Sequence, residues 1–172
     1  MNAVGLDLSL TATGIAPVSG VTLTVQPGKG LRGAARLAEM REGILTITTA
    51  GGVPDVVAIE GPAYSRALGA GHHEAAGLWW QVVCALHTAG IPYAVVTPST
   101  LKKYATGRGN ATKADMRVAL LQRTGLDLRD DNQVDAWWLR CAALDSVCEA
   151  PVALPKAQRD ALSKVEWPKA GA

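Results

Sequence analysis

Three acidic residues lie in segments whose other residues predict buried, apolar structure. Asp7 interrupts the N-terminal apolar stretch, and Glu60 is the last residue of the run DVVAIE. Asp135 lies near the start of the apolar stretch VDAWWLRCAAL. A lone carboxylate is costly to bury, so each of these acids needs a hydrogen-bonding partner, a cationic neighbour or a metal ion.

Each acid also has a purely structural explanation. Asp7 could accept hydrogen bonds from the Thr11–Thr13 turn, and Glu60 could pair with an arginine at the end of its strand. Asp135 could favour a helix N-terminus through the helix dipole. The three explanations are less convincing together, because adjacent strands would bring Asp7 and Glu60 side by side and the last helix could dock its acidic start there.

Two more oxygen donors precede the third acid. Asp131 and Asn132 are four and three residues before Asp135, so on a helix they share its face. Oxygen ligands without histidine suit Mg²⁺ or Mn²⁺ rather than zinc. Two such ions about 4 Å apart can activate a water and stabilise the leaving oxygen of a phosphodiester. The sequence therefore predicts a site for two Mg²⁺ or Mn²⁺ ions.

The elements that must position these residues follow from the apolar periodicity. Alternation predicts a strand over Ala3–Leu10, and two short connections predict antiparallel strands at 15–18 and 21–26. A helix at 31–49, a strand at 55–60, a helix at 73–89 and a strand at 93–97 are predicted next. They are followed by helices at 98–106, 112–124 and 131–149. This order indicates an α/β fold with a mixed five-stranded sheet, three antiparallel strands plus two parallel, flanked by helices.

The 172 residues predict one folded domain over residues 1–150 and a basic C-terminal tail over 151–172, with at most one short helix at Lys156–Val165. The net charge is only +2, but six basic residues lie between Ser99 and Gly125 against the single acid Asp115: Lys102, Lys103, Arg108, Lys113, Arg117 and Arg123. Such clustering fits contacts with phosphates, although a solvated helix face would explain it as well.

Several classes of protein are excluded by composition. No apolar run reaches the roughly 18 residues of a transmembrane helix, so no membrane partner is expected. The N-terminus MNAVGLDLSL lacks the layout of a signal peptide, which predicts a cytoplasmic protein. Three scattered cysteines argue against a disulfide framework and against a thiolate zinc site.

The sequence resembles RuvC-type Holliday junction resolvases and, more loosely, ribonuclease H-like nucleases. The segments that carry the resemblance cover most of Ala3 to Leu144: GLDLSLTATGIA, DVVAIEGP, TPSTLKKYATGRGNATKADM and DNQVDAWWL. The resemblance implies a ribonuclease H-like fold and a magnesium-dependent endonuclease that cuts four-way junctions and other branched DNA. The compact length is typical of a phage or other mobile-element enzyme.

By position, the resemblance implies that Asp7, Glu60 and Asp135 are the metal-binding catalytic acids. It also implies that Lys102 and Lys113 are active-site lysines, which would neutralise the scissile phosphate and the charge that develops on it. Further phosphate contacts are expected from three other basic residues, namely Lys103, Arg108 and Arg117.

Two positions depart from the family pattern. The family has an acid or a histidine three residues before the final aspartate, where this chain has Asn132. Either Asn132 or Asp131 is the fourth metal ligand, unless Asp131 is only the helix N-cap. The family also has an aromatic residue just after the strand-end glutamate. Tyr64, next to the matching Ala63, is expected to stack on DNA bases, unless it is an ordinary surface tyrosine.

The family is dimeric through the helix after the catalytic glutamate. In this chain that helix contains Trp79 and Trp80, and adjacent tryptophans face different sides of a helix, so one must face away from its own sheet. A homodimer is therefore expected, and it would match the two-fold symmetry of a four-way junction. Trp137 and Trp138 in the last helix are expected to lie in the core.

Three other functions compete with this one. Actin-like ATPases begin with a similar strand, but they need a second phosphate-binding hairpin and a chain roughly twice as long. A non-catalytic junction-binding protein would explain Asn132 as part of a decayed site. A broad debranching nuclease that cuts forks and flaps is not separable from a strict resolvase by sequence.

Overall fold

The computed structural model describes residues 1–62, 70–147 and 149–168. They contain a five-stranded sheet with the order β3-β2-β1-β4-β5. Strand β2 pairs antiparallel with both β1 and β3, and β4 pairs parallel with both β1 and β5. The strands are β1 (Ala3–Asp7), β2 (Thr13–Ala16), β3 (Leu23–Val25), β4 (Val56–Glu60) and β5 (Tyr93–Val96). The predicted mixed sheet is confirmed.

Six α-helices complete the described part of the chain, the last of them running into the 3₁₀ turn Asp160–Lys164. They are α1 (Gly33–Thr49), α2 (Ala70–Thr88), α3 (Pro98–Thr106), α4 (Lys113–Thr124), α5 (Asp131–Asp145) and α6 (Lys156–Arg159). The main difference from the predicted bounds is that β1 ends at Asp7 rather than Leu10. The backbone N–H of Ser9 donates to Thr13 Oγ1 at 3.0 Å, and the Thr13 hydroxyl donates to Ser9 O at 2.8 Å. This local turn replaces the strand ladder.

Both faces of the sheet are buried. Val4 and Leu6 of β1, with Val57 and Ile59 of β4, face α1 and α2 in one apolar cluster. Ala3 and Ala58 belong to a second cluster on the opposite face, which is dominated by α3, α4 and α5. Trp137 and Trp138 are 6% and 0% exposed in that cluster, so the prediction that they are core residues is confirmed.

Helix α5 lies directly on the sheet at two glycines. A Cβ atom added to Gly5 would overlap the backbone carbonyl of Ala136, and one added to Gly14 would overlap that of Asn132. Gly14 is paired with Asp7 across the β1–β2 ladder. The close approach that glycine permits therefore brings the start of α5 beside Asp7.

The chain after α5 packs on the same core as far as it is described. Ala161 and Leu162 are buried in the second cluster, and Gln158 donates a hydrogen bond to the backbone carbonyl of Tyr104 at 2.9 Å. The buried carboxylate of Asp145 pairs with Arg159 at 2.6 Å. Among the residues described, no helix is long and apolar enough to cross a membrane.

Candidate active site

Two parallel strands end with an acid at the same edge of the sheet. The ladder between β1 and β4 pairs Leu6 with Ile59, and the next residues of the two strands are Asp7 and Glu60. The two carboxyl groups are close enough for the charge of Glu60 to raise the pKa of Asp7. Asp7 is only 8% exposed. The nearby turn, which offered a structural explanation for Asp7, uses its hydroxyls on Ser9 instead.

Asp135 joins these two acids from α5. Burial raises the pKa of Asp7 well above its usual range, and the nearby charges of Glu60 and Asp135 raise it further. Burial and the charge of Asp135 raise the pKa of Glu60 to about 7. Burial also raises the pKa of Asp135 to about 6. Negative charges that share a space with little water oppose one another's ionisation, and a cation would relieve that repulsion.

Two lysines partly offset this accumulation of negative charge. Lys102 on α3 and Lys113 at the start of α4 each lower the pKa values of Glu60 and Asp135, and Lys113 lowers that of Asp7 as well. Both lysines border the loop that begins at Gly107, where α3 ends in the left-handed conformation at φ 86°. The loop thus turns the chain so that both ammonium groups lie near the acids.

The two candidates for a fourth ligand have different partners. Asp131 accepts a hydrogen bond from Arg117 Nη2 at 2.9 Å and lies 3.5 Å from Lys113 Nζ. Asn132 Nδ2 donates to the backbone carbonyl of Ala12 at 2.6 Å. The N-cap of α5 is Asp130, whose Oδ1 accepts from the backbone N–H of Asn132 at 2.9 Å. The alternative that Asp131 is the N-cap is therefore wrong.

The residues expected to contact DNA are placed differently from one another. Lys103 is exposed on α3. Arg108 forms an ion pair with Asp115 at 3.0 Å, and Arg117 donates to Arg129 O at 2.6 Å as well as to Asp131. Tyr64 lies outside the described residues.

A cavity of about 270 Å³, which no sequence pattern predicts, adjoins the acids on the side of α2. Its walls include Asp7, Glu60, Pro62, His72 and Trp79. The indole N–H of Trp79 donates to the backbone carbonyl of Glu60 at 3.0 Å, which fixes the end of β4 against α2. This role depends on a tertiary contact, whereas the sequence pattern only placed Trp79 on an amphipathic helix.

The donor chemistry of the acids fits a hard divalent cation, because every candidate ligand offers oxygen. In their present arrangement, however, no three His, Cys, Asp or Glu side chains of the described residues are grouped so as to hold a metal ion. Metal binding at this cluster would therefore require the side chains of the acids to rearrange around a shared ion.

No protein-family model matches the sequence, and no curated protein matches it. Among solved structures, RuvC of Thermus thermophilus superposes with a TM-score of 0.68 at 20% identity, covering 89% of this chain and 100% of that one. The same organism's RuvC in complex with a Holliday junction substrate gives a TM-score of 0.70 at 19% identity, covering 89% and 99%. The chain therefore has the fold of RuvC, as the resemblance implied.

Proposed function

We propose that this protein is a divalent-metal-dependent endonuclease that resolves Holliday junctions and other branched DNA. The observation that carries the proposal is the cluster of Asp7, Glu60 and Asp135, which meet from β1, β4 and α5 and all have raised pKa values. The RuvC fold and the Holliday junction bound by one of its structural neighbours support the same function. A purely structural role would not favour acids that repel one another.

Each residue of the cluster has a proposed role. Asp7, Glu60 and Asp135 hold Mg²⁺ or Mn²⁺, and Asp131 or Asn132 supplies a fourth oxygen. Two such ions would activate a water for attack on phosphorus and stabilise the 3′ oxygen as it leaves. Lys102 and Lys113 hold the scissile phosphate and stabilise its growing negative charge. The products would carry 5′-phosphate and 3′-hydroxyl ends.

The DNA would be held beyond the cleaved bond by the basic surface of α3 and α4. Lys103 and Arg108 are exposed there and are proposed to contact backbone phosphates. The sequence predicts the same role for Arg117, but its guanidinium is engaged with Asp131 and Arg129. Tyr64 is proposed to stack against a base at the crossover.

A homodimer is proposed to present two such sites to the junction. Trp80 of α2 is 60% exposed and contacts Trp79 edge to face, with ring centroids 5.0 Å apart. The expectation that one of these tryptophans faces away from the sheet is confirmed. An exposed tryptophan is typical of an interface core. Sedimentation of the wild type and of Trp80→Ala tests the dimer, which we expect the substitution to dissociate at micromolar concentration.

The deciding experiment is cleavage of a labelled four-way junction, a fork and a linear duplex, with Mg²⁺, Mn²⁺ or EDTA. The wild type is compared with Asp7→Asn and with the matched control Asp127→Asn, whose carboxylate is 58% exposed and lies 3.9 Å from Arg129. Paired nicks in opposite strands of the junction, lost only in Asp7→Asn and in EDTA, are the expected result.

Two other outcomes would revise the proposal. Equal cutting of fork and junction would identify a broad debranching nuclease. Tight junction binding without cleavage in any metal would identify a junction-binding protein and would overturn the catalytic roles given to the three acids.

A further inference from the structure

Three charged side chains form a row of ion pairs at the edge of the acidic cluster. Lys113 Nζ lies 3.5 Å from Asp131 Oδ2, and Arg117 Nη2 donates to the other oxygen of that carboxylate, Asp131 Oδ1, at 2.9 Å. The carboxylate of Asp131 thus stands between two cations that both come from α4. The row joins α4 to the first residue of α5.

The backbone of Lys113 is fixed, but its side chain is long and 58% exposed. Lys113 is the first residue of α4, which begins with a capping box: Thr112 Oγ1 accepts from the N–H of Asp115, and Asp115 Oδ2 accepts from the N–H of Thr112. A flexible ammonium group at such a position samples many conformations unless a partner restricts it. Asp131 is placed to provide that restriction on the side facing the acids.

Arg117 gives the carboxylate a defined position. The same Nη2 that binds Asp131 also donates to the backbone carbonyl of Arg129 at 2.6 Å, so the guanidinium is anchored to the chain just before α5. A single half-exposed lysine–carboxylate pair is weak, because water competes and side-chain entropy is lost. An arginine anchored on a backbone carbonyl makes the carboxylate a more rigid acceptor for the lysine.

We infer that Asp131, held by Arg117, positions Lys113 against the scissile phosphate, an inference that rests on the proposed nuclease function. Asp131 and Arg117 are then positioning residues that act through Lys113. In this assignment Asp131 is not a metal ligand, and Arg117 is not a DNA contact. Lys113 keeps its orientation before substrate arrives, which reduces the entropy lost when the phosphate binds.

The first arm of the test measures the restriction of Lys113 without metal or DNA. Trace acetylation followed by mass spectrometry gives the reactivity of Lys113 relative to the exposed Lys103 in the wild type, Asp131→Asn, Arg117→Gln and Arg117→Lys. We expect Lys113 to become about threefold more reactive in Asp131→Asn, the size of effect a half-exposed ion pair allows. Arg117→Gln should give a smaller rise and Arg117→Lys a partial return. Unchanged reactivity in Asp131→Asn would overturn the inference.

The second arm is a double-mutant cycle on single-turnover cleavage of a four-way junction. Asp131→Asn should lower the cleavage rate about tenfold in the wild-type background and less than about twofold in a Lys113→Gln background, because coupled residues are not additive. The Mg²⁺ concentration for half-maximal rate should not change, and Asp127→Asn should cleave at the wild-type rate.

The outcomes separate this inference from the proposed function. Equal losses in both backgrounds would mean that Asp131 acts independently of Lys113, and a raised Mg²⁺ requirement would mean that Asp131 is a metal ligand. Either result overturns the inference while junction cleavage stands. A wild-type protein that cuts no branched DNA overturns the proposed function, and the positioning of Lys113 for it falls at the same time.

Discussion

Two acidic sites in this protein handle buried negative charge in opposite ways. Asp145, at the end of α5, is 6% exposed and is surrounded by donors. Arg159 Nε donates to both carboxylate oxygens at 2.8 and 3.1 Å, and the Tyr104 hydroxyl donates to Oδ2 at 3.2 Å. A buried carboxylate with a matching cation holds the C-terminal segment on the core.

The cluster at the other end of the same helix lacks such a match. Asp7 is buried beside Glu60, and Asp135 adds a third acid within electrostatic range. The pKa values of all three are raised, since burial and repulsion from neighbouring acids outweigh the two nearby lysines. Burial does not by itself mark a functional acid. An acid whose charge is left uncompensated by the fold is the better candidate for binding a cation.

The largest expected difference between the two sites is in cleavage. Asp135→Asn should lower the single-turnover rate on a four-way junction by about a thousandfold, because it removes the negative charge of a ligand at the proposed metal site. Asp145→Asn, which makes the same chemical change on the same helix, should keep the rate of the folded fraction within about twofold. Comparable losses in the two variants would remove the functional distinction between the sites.

For stability, the larger effect is expected at the Asp145 site and the smaller one at the acidic cluster. Arg159→Ala leaves the Asp145 carboxylate buried without its cation, so the free energy of unfolding should fall by about 3 kcal/mol in urea titrations. Asp7→Asn, measured in EDTA, should unfold at the same or higher urea concentration than the wild type, because it removes a repelling charge. Destabilisation by Asp7→Asn would show that its carboxylate is held by favourable contacts, like that of Asp145.

Divalent metal should raise thermal stability through the acidic cluster and not through the Asp145 site. Millimolar Mg²⁺ or Mn²⁺ should raise the Tm of the wild type by about 3 °C, since a ligand that binds only the folded state stabilises it. Glu60→Gln should abolish most of the rise, whereas Arg159→Ala should start from a lower Tm and show the same rise. A rise in Glu60→Gln equal to that of the wild type would place the metal elsewhere.

The smallest expected effect is on the pH dependence of stability without metal. Glu60 has a folded-state pKa of about 7 against an ordinary value of 4.5, and Asp135 is shifted in the same direction. The folded state therefore binds more protons than the unfolded state in this window, and the unfolding free energy should fall as pH rises from about 5 to about 8. Urea titrations in EDTA should show a shallower fall for Glu60→Gln. A wild-type stability that is flat over this range would contradict the shift.

The sequence predicted the sheet, its strand directions and the three acids, because strand alternation and misplaced carboxylates are local features. It did not distinguish Asp145 as a buried ion pair, since Arg159 reaches it only after the C-terminal segment docks on the core. The clustering of basic residues predicts that Arg117 contacts DNA. Its hydrogen bonds to Asp131 and Arg129 are tertiary contacts, which the clustering does not predict. The site of metal binding is still a prediction, because ligand geometry depends on side-chain rotamers, which the spacing of residues in the sequence does not encode.

The seating of α5 on Gly5 and Gly14 also orders events during protein synthesis. The first two acids leave the ribosome early, on strands that can pair as soon as β4 is made, but Asp135 follows only after three more helices. Until α5 emerges, the glycine-bearing face of β1 and β2 has no cover, and the acidic cluster lacks its third member. A nascent or truncated chain that lacks α5 is therefore expected to cleave no DNA. The protein would acquire its proposed activity in the same step that closes its core.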